Sequence, residues 1–232
     1  MSHIYITGDT HGTTDYHKLA VSEWPAQKFL TKNDYLIICG DAGIRWNDEV
    51  EGEDRWLINW YNSKPFTTLF IDGNHENHNA LNNYPVEEWN GGKVHKLADS
   101  VYHLMRGQVF IIDGLKFFTM GGAKSTDRAN RIPNVSWWTD EMPSFAEMEE
   151  GVNNLYDNDC KVDYVITHDC ATSLHDFLAT HHMDSDSLTQ YLDFIEFDMG
   201  LQFKHWYFGH HHLDKQIDDK HTCLYDKVEQ IK

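Results

Sequence analysis

The chain has 232 residues, 41% of them hydrophobic and 13% aromatic, which is enough to fill a substantial core. Its formal charge of -18, from 37 acidic against 19 basic residues, excludes a broad nucleic-acid grip built on clustered Lys and Arg, though bound cations would absorb part of the excess. No run approaches the roughly 18 apolar residues of a membrane helix, the start Met1-Ser2-His3-Ile4-Tyr5-Ile6 has no basic leader region, and the separated Cys39, Cys160, Cys170 and Cys223 read as reduced thiols of a cytoplasmic protein.

In chain order, Ile4-Tyr5-Ile6 is a short apolar run that ends at Gly8-Asp9-Thr10-His11-Gly12. A helical pattern follows over about 16–30. The run at residues 35–39 ends at Gly40-Asp41-Ala42-Gly43, and a second helical pattern covers about 51–63. Residues 68–71 lead into Gly73-Asn74-His75-Glu76. From residue 101 to 120 apolar and polar positions alternate, and Asp113-Gly114 predicts a hairpin that pairs 109–112 with 116–120. A third helical pattern, about 144–157, opens with Ser144 and Glu147 spaced as a capping box. Residues 164–166 end at Thr167-His168-Asp169, and a fourth helical pattern spans about 186–197. A strand at 204–208 runs into Gly209-His210-His211-His212, and 221–232 reads as a last strand with a short tail. Without a repeat, a low-complexity tract or a Pro/Ser-rich linker, residues 1–232 read as one domain. Short β-rich runs alternating with helices predict α/β layers.

Five of the polar segments stand at strand ends, where open α/β sheets place their chemistry. Each offers oxygen or imidazole donors, and a glycine beside most of them permits a tight turn. Mixed carboxylate, imidazole and amide donors suit manganese, iron or zinc. Asp9/His11 and His210/His212 are each separated by one residue, which on an extended chain puts both members on one face. A carboxylate at Asp41 can bridge two cations about 3.5–4 Å apart, the spacing that serves in-line displacement at phosphorus.

In this order the segments resemble the calcineurin-like metallophosphoesterases, whose signature reads D-x-H, G-D, G-N-H-[DE], a lone His, and G-H-x-H. The resemblance covers residues 9 to 212. It implies a four-layer sandwich of two mixed β-sheets flanked by helices. It also implies two divalent cations, manganese favoured, with Asp9, His11, Asp41 and His212 on the first and Asp41, Asn74, His168 and His210 on the second. A hydroxide activated by both metals would attack phosphorus, and His75 would protonate the leaving group or contact the phosphate.

Arg45 matches the arginine that grips phosphate in the Ser/Thr protein phosphatase branch, but Ile44 stands where that branch has an aspartate to orient the catalytic histidine. Glu76 is therefore a candidate for orienting His75, or for support behind the metal ligands. The stretch from Gly121 to Arg131, followed by Trp137 and Trp138, resembles stretches in small bacterial and phage members of the family. Arg128 and Arg131 are candidate substrate contacts there, with pairing to Asp140 and Glu141 the alternative. The expected activity is a phosphomonoesterase acting on a phosphorylated small molecule, nucleotide or phosphoprotein. A phosphodiesterase acting on nucleotides or nucleic-acid ends, and a non-catalytic metal-binding scaffold, are the alternatives.

Overall fold

The strand-forming runs are β-branched and aromatic, short enough to cross a sheet once, and fully buried at most positions. A computed structural model describes residues 2–178 and 185–232. Strands β1 (Ile4–Thr7), β2 (Tyr35–Ile38), β3 (Thr67–Phe70), β4 (Val86–Trp89), β5 (Gly92–Ala98) and β6 (Val101–Leu104) form one sheet. A second contains β7 (Gln108–Ile112), β8 (Leu115–Met120), β9 (Tyr164–Thr167), β10 (His205–Phe208), β11 (Lys215–Gln216) and β12 (His221–Cys223). The last strand, β13 (Glu229–Gln230), returns to the first sheet, where Gln230 pairs antiparallel with Tyr5. The orders are β13-β1-β2-β3-β6-β5-β4 and β11-β12-β10-β9-β8-β7. In the first sheet β1, β2, β3 and β6 run parallel. In the second β8, β9, β10 and β12 do. Both sheets are thus mixed.

The inner faces pack on each other through Ile4, Ile6, Ile37 and Leu69 on one side and Phe110, Phe117, Ile166 and Tyr207 on the other. Helix α1 (Gly52–Asn62) covers the outer face of the first sheet with Leu57, Ile58 and Tyr61. The short α2 (His78–Asn82) follows β3. On the outer face of the second sheet lie α3 (Phe145–Asp157), the single turn α4 (His175–Leu178) and α5 (Ser187–Asp193). The result is the expected sandwich of two mixed sheets flanked by helices. Ser144 and Glu147 do form a capping box on α3, and the hairpin at Asp113-Gly114 pairs Ile112 with Leu115. Among the described residues no helix is long and apolar enough to cross a membrane.

Two expectations need correction. The pattern at 16–30 is not one helix but two 3-10 turns, Tyr16–Leu19 and Pro25–Phe29. Pro25 has no N–H to continue a helix, and Lys18 turns inward to donate to the carbonyls of Gly8 and Asp9. The segment 221–232 supplies two strands to different sheets rather than one strand and a tail. The β4–β5 hairpin was not anticipated. Its turn residues Asn90 and Gly91 have φ of 51° and 89°, the left-handed pair that an Asn-Gly hairpin turn requires.

Candidate metal centre

The carboxyl ends of β1, β2, β3, β9 and β10 open onto one rim, so the five polar segments meet there. The loops after β1 and β2 are joined main chain to main chain. Thr10 and His11 N–H donate to the Asp41 carbonyl at 3.0 and 2.8 Å, and Gly12 N–H donates to that of Ala42 at 3.0 Å. The loop after β3 is stapled to them by Glu76, whose carboxylate accepts Gly43 N–H at 3.0 Å and Gly73 N–H at 2.8 Å. Gly73 has to be glycine because a Cβ there would overlap Asp41 Oδ1. At Gly40, with φ of 88°, a Cβ would run into the His168 ring.

Asp41 is the centre of the arrangement. One oxygen, Oδ1, accepts the His75 N–H at 2.7 Å. The other, Oδ2, lies 3.5 Å from His11 Nε2 and 3.3 Å from His168 Nε2. Asp9 lies alongside, with Oδ2 at 3.4 Å from His212 Nε2 and 3.8 Å from His11 Nε2. Asn74 Oδ1 is 3.2 Å from His168 Nε2. His210 N–H donates to Asp9 Oδ1 at 3.1 Å, and its ring meets the His168 ring edge-on at 5.1 Å. All seven residues expected to ligate metal are therefore gathered on one rim. The convergence does not come from strand alternation, however. His11, Asp41, His210 and His212 have φ of 42°, 48°, 64° and 51°, so left-handed turns aim these side chains.

The rings are held by a second set of bonds. His11 Nδ1 is 2.7 Å from Asp15 Oδ2, and Asp15 also accepts from Tyr225 Oη at 3.0 Å. His168 Nδ1–H donates to the Cys39 carbonyl at 2.7 Å. Both therefore present Nε2 to the cradle, the arrangement of metal-ligating imidazoles. Asn74 Nδ2 donates to Ser125 Oγ at 3.1 Å, and Ser125 donates to Glu141 Oε2 at 2.5 Å, which turns the Asn74 carbonyl toward His168. Asp15 escaped the sequence reading, and Ser125 and Glu141 entered it only within the stretch 121–141 and not in this role, since nothing local marks a residue that acts through another.

Electrostatically the cradle is built for positive charge. Asp9 and Asp41 are fully buried, and Asp9 Oδ2 has no hydrogen-bond donor among the described residues. Burial alone would lower the His11 and His168 pKa values, yet Asp41 and Asp9 raise them to about 9 and about 10. In the absence of cations, protons on the imidazoles offset the carboxylates. Three subsets, Asp9/His11/His212, His11/Asp41/His75 and Asp9/Asp41/His168, each bring donor atoms within 4.8 Å of one another. An orphaned buried carboxylate oxygen among imidazoles fits borderline or hard divalent cations.

The other expected site residues divide. His75 faces a cavity of about 370 Å³ that it lines with His11, Trp46, Asn47 and Glu53, and burial lowers its pKa. Arg45 does not reach that cradle. It is 2% exposed, ion-paired with Asp54, and donates to the Asp48 carbonyl at 3.1 Å. Its fork is thus spent inside the protein, correcting the expectation that it grips phosphate. Glu76 is likewise a staple between loops rather than a partner of the His75 ring, and burial with Asp41 nearby raises its pKa to about 8. Arg131 pairs with Asp127 at 2.7 Å, and Arg128 lies over the Trp137 ring at 4.2 Å and 3.8 Å from Glu141. Trp138 is buried against Trp46.

The sequence profile of the calcineurin-like phosphoesterase family matches residues 2–214. No curated protein matches the chain in sequence. Among solved structures it is similar to the crystal structure of a phosphopantetheinyl hydrolase from Mycobacterium tuberculosis, at 12% identity and a TM-score of 0.46, over 97% of this chain and 88% of that one. The chain belongs to the calcineurin-like phosphoesterases and is a metal-dependent hydrolase of phosphate esters.

Proposed function

We propose that this calcineurin-like phosphoesterase works with two divalent cations, manganese favoured, held by Asp9, His11, Asp41, Asn74, His168, His210 and His212. The observation that carries this reading is the position of one Asp41 oxygen between two imidazoles, 3.5 Å from His11 and 3.3 Å from His168. A carboxylate so placed serves two sites at once. When bound, two such ions supply the Lewis acidity that makes water a nucleophile near neutral pH and offset charge on the phosphoryl oxygens.

The chain's own residues then have distinct tasks. Asp15 and the Cys39 carbonyl keep His11 and His168 in the tautomer whose Nε2 is free to ligate. Ser125 keeps the Asn74 oxygen facing inward. His75, bonded through its backbone to Asp41 and lining the cavity, contacts the phosphoryl group. Phosphate charge beside the ring raises its proton affinity, so that it can pass a proton to the leaving oxygen.

The substrate we favour is a phosphate monoester with an uncharged or cationic leaving group. With Arg45 withdrawn, the leaving-group preference rests on the cavity wall, where Trp46 stands beside the exposed Glu53, the Asp54 carboxylate being paired with Arg45. Such a wall repels polyanions, nucleic-acid ends included. The four cysteines are unpaired, in keeping with a reducing cytoplasm. The test is turnover of p-nitrophenyl phosphate and of its bis-ester by metal-stripped protein titrated with manganese, beside Asp41→Asn. Manganese-dependent hydrolysis, stronger on the mono-ester and lost in the variant, is expected. A stronger rate on the bis-ester would make the enzyme a diesterase; stoichiometric metal without turnover of either would make it a scaffold.

A further inference from the structure

Behind the cradle lies a second group of metal-binding side chains. Asp169, Cys170 and His175 each place a donor atom within 4.8 Å of the others, and all three are buried. His211 joins them from the loop after β10. Its Nε2 is 3.1 Å from Asp169 Oδ1 and 3.5 Å from Cys170 Sγ. In a tetrahedral zinc site with bonds of about 2.0–2.3 Å, neighbouring donors stand about 3.3–3.6 Å apart. The two measured separations are close to the edges of such a tetrahedron.

In both loops neighbouring residues divide between the two groups. His168 faces the front cradle while Asp169 and Cys170 face the rear. His210 and His212 face the front while His211 turns back. A plain ion pair between Asp169 and His211 accounts for two of the four rear residues but not for His175. That ring is 5% exposed, and neither nitrogen has a hydrogen-bond partner among the described residues. An imidazole buried with both nitrogens idle is rare, because each loses its water without replacement.

We propose that Asp169, Cys170, His175 and His211 form a closed site for a further divalent ion of zinc type. One thiolate, two imidazoles and one carboxylate, three of the four residues buried and His211 half-buried, match a structural rather than a catalytic zinc. On binding, Cys170 loses its thiol proton to solvent and the sulfur becomes a ligand. The ion would tie the loop after β9 to the loop after β10 and so hold His168, His210 and His212 in register from behind.

Cobalt(II) titration of the metal-stripped chain tests this, because a thiolate bound to cobalt gives a near-ultraviolet charge-transfer band that imidazole and carboxylate donors do not. The wild type is expected to show the band. Cys170→Ser and, separately, His175→Gln are expected to abolish or shift it and to bind one equivalent less, while Cys160→Ser keeps it unchanged. A wild type without the band overturns the site, as does a band that persists unaltered in either variant. If Cys170→Ser does not fold, His175→Gln alone decides. Failure of the front two-metal reading would change the total equivalents but leave this band in place, so the two ideas fall separately.

Discussion

The two halves of the cradle are held together differently. Loops after β1 and β2 are laced main chain to main chain, with Asp41 and Ala42 carbonyls accepting from the β1 loop, and the buried Glu76 carboxylate ties the β3 loop to them by accepting from two glycines. The loops after β9 and β10 reach them mainly through side chains, His168 to the Cys39 carbonyl and Asp9 to the His210 N–H. Asp41 and its neighbours are therefore fixed before any cation arrives. The histidines of the second half depend more on what the cation, and the rear cluster, do for them. Preorganised carboxylates plus imidazoles drawn in by the metal is an arrangement that couples affinity to pH.

Breaking the fixed half should have the largest effect. Asp41→Asn is expected to lower kcat by on the order of 10³-fold or more, because it removes charge from the point that the two proposed cations would share; single-turnover hydrolysis with saturating manganese would measure it. Arg45→Ala should show the opposite pattern. It leaves Asp54 as a buried charge without its cation, a loss of about 3 kcal/mol of stability, with KM for p-nitrophenyl phosphate little changed. Urea unfolding beside steady-state kinetics separates the two, and a large KM rise without loss of stability would return Arg45 to the phosphate.

Smaller effects sharpen the contrast. Ser125→Ala frees the Asn74 amide and is expected to weaken manganese binding about 10-fold, the low end of what removal of a ligand's supporting bond costs; equilibrium dialysis would read it. The coupling to pH has a definite sign. His11 and His168 hold protons up to about 9 and about 10 without metal, and only the neutral ring ligates. Metal affinity should therefore rise with pH up to that range, and binding at pH 7 should expel about two protons, seen by calorimetry in buffers of different ionisation enthalpy. The smallest change is expected at a half-buried arginine outside the cradle. Arg131→Ala, whose guanidinium is already paired with Asp127, should alter KM less than about threefold.

What the sequence by itself determined is the set of donors and their order. Short apolar runs with glycine-flanked Asp, Asn and His at their ends are local patterns, and a parallel sheet puts such ends on one rim. Ser144 and Glu147, and Asp113-Gly114, were legible for the same reason, since caps and hairpin turns involve neighbours in the chain. Contacts between distant segments decided the rest. Arg45 looked available because nothing next to it reveals Asp54, nine residues on and folded back by α1. Ser125 and Asp15 carried no mark, because their role is to hold another residue's atom in place. Left-handed turns at His11 and His212, rather than strand alternation, aimed the rings. Only the tertiary structure could set Asp169, Cys170, His175 and His211 side by side, because side-chain direction at a loop depends on what the two sheets press against it.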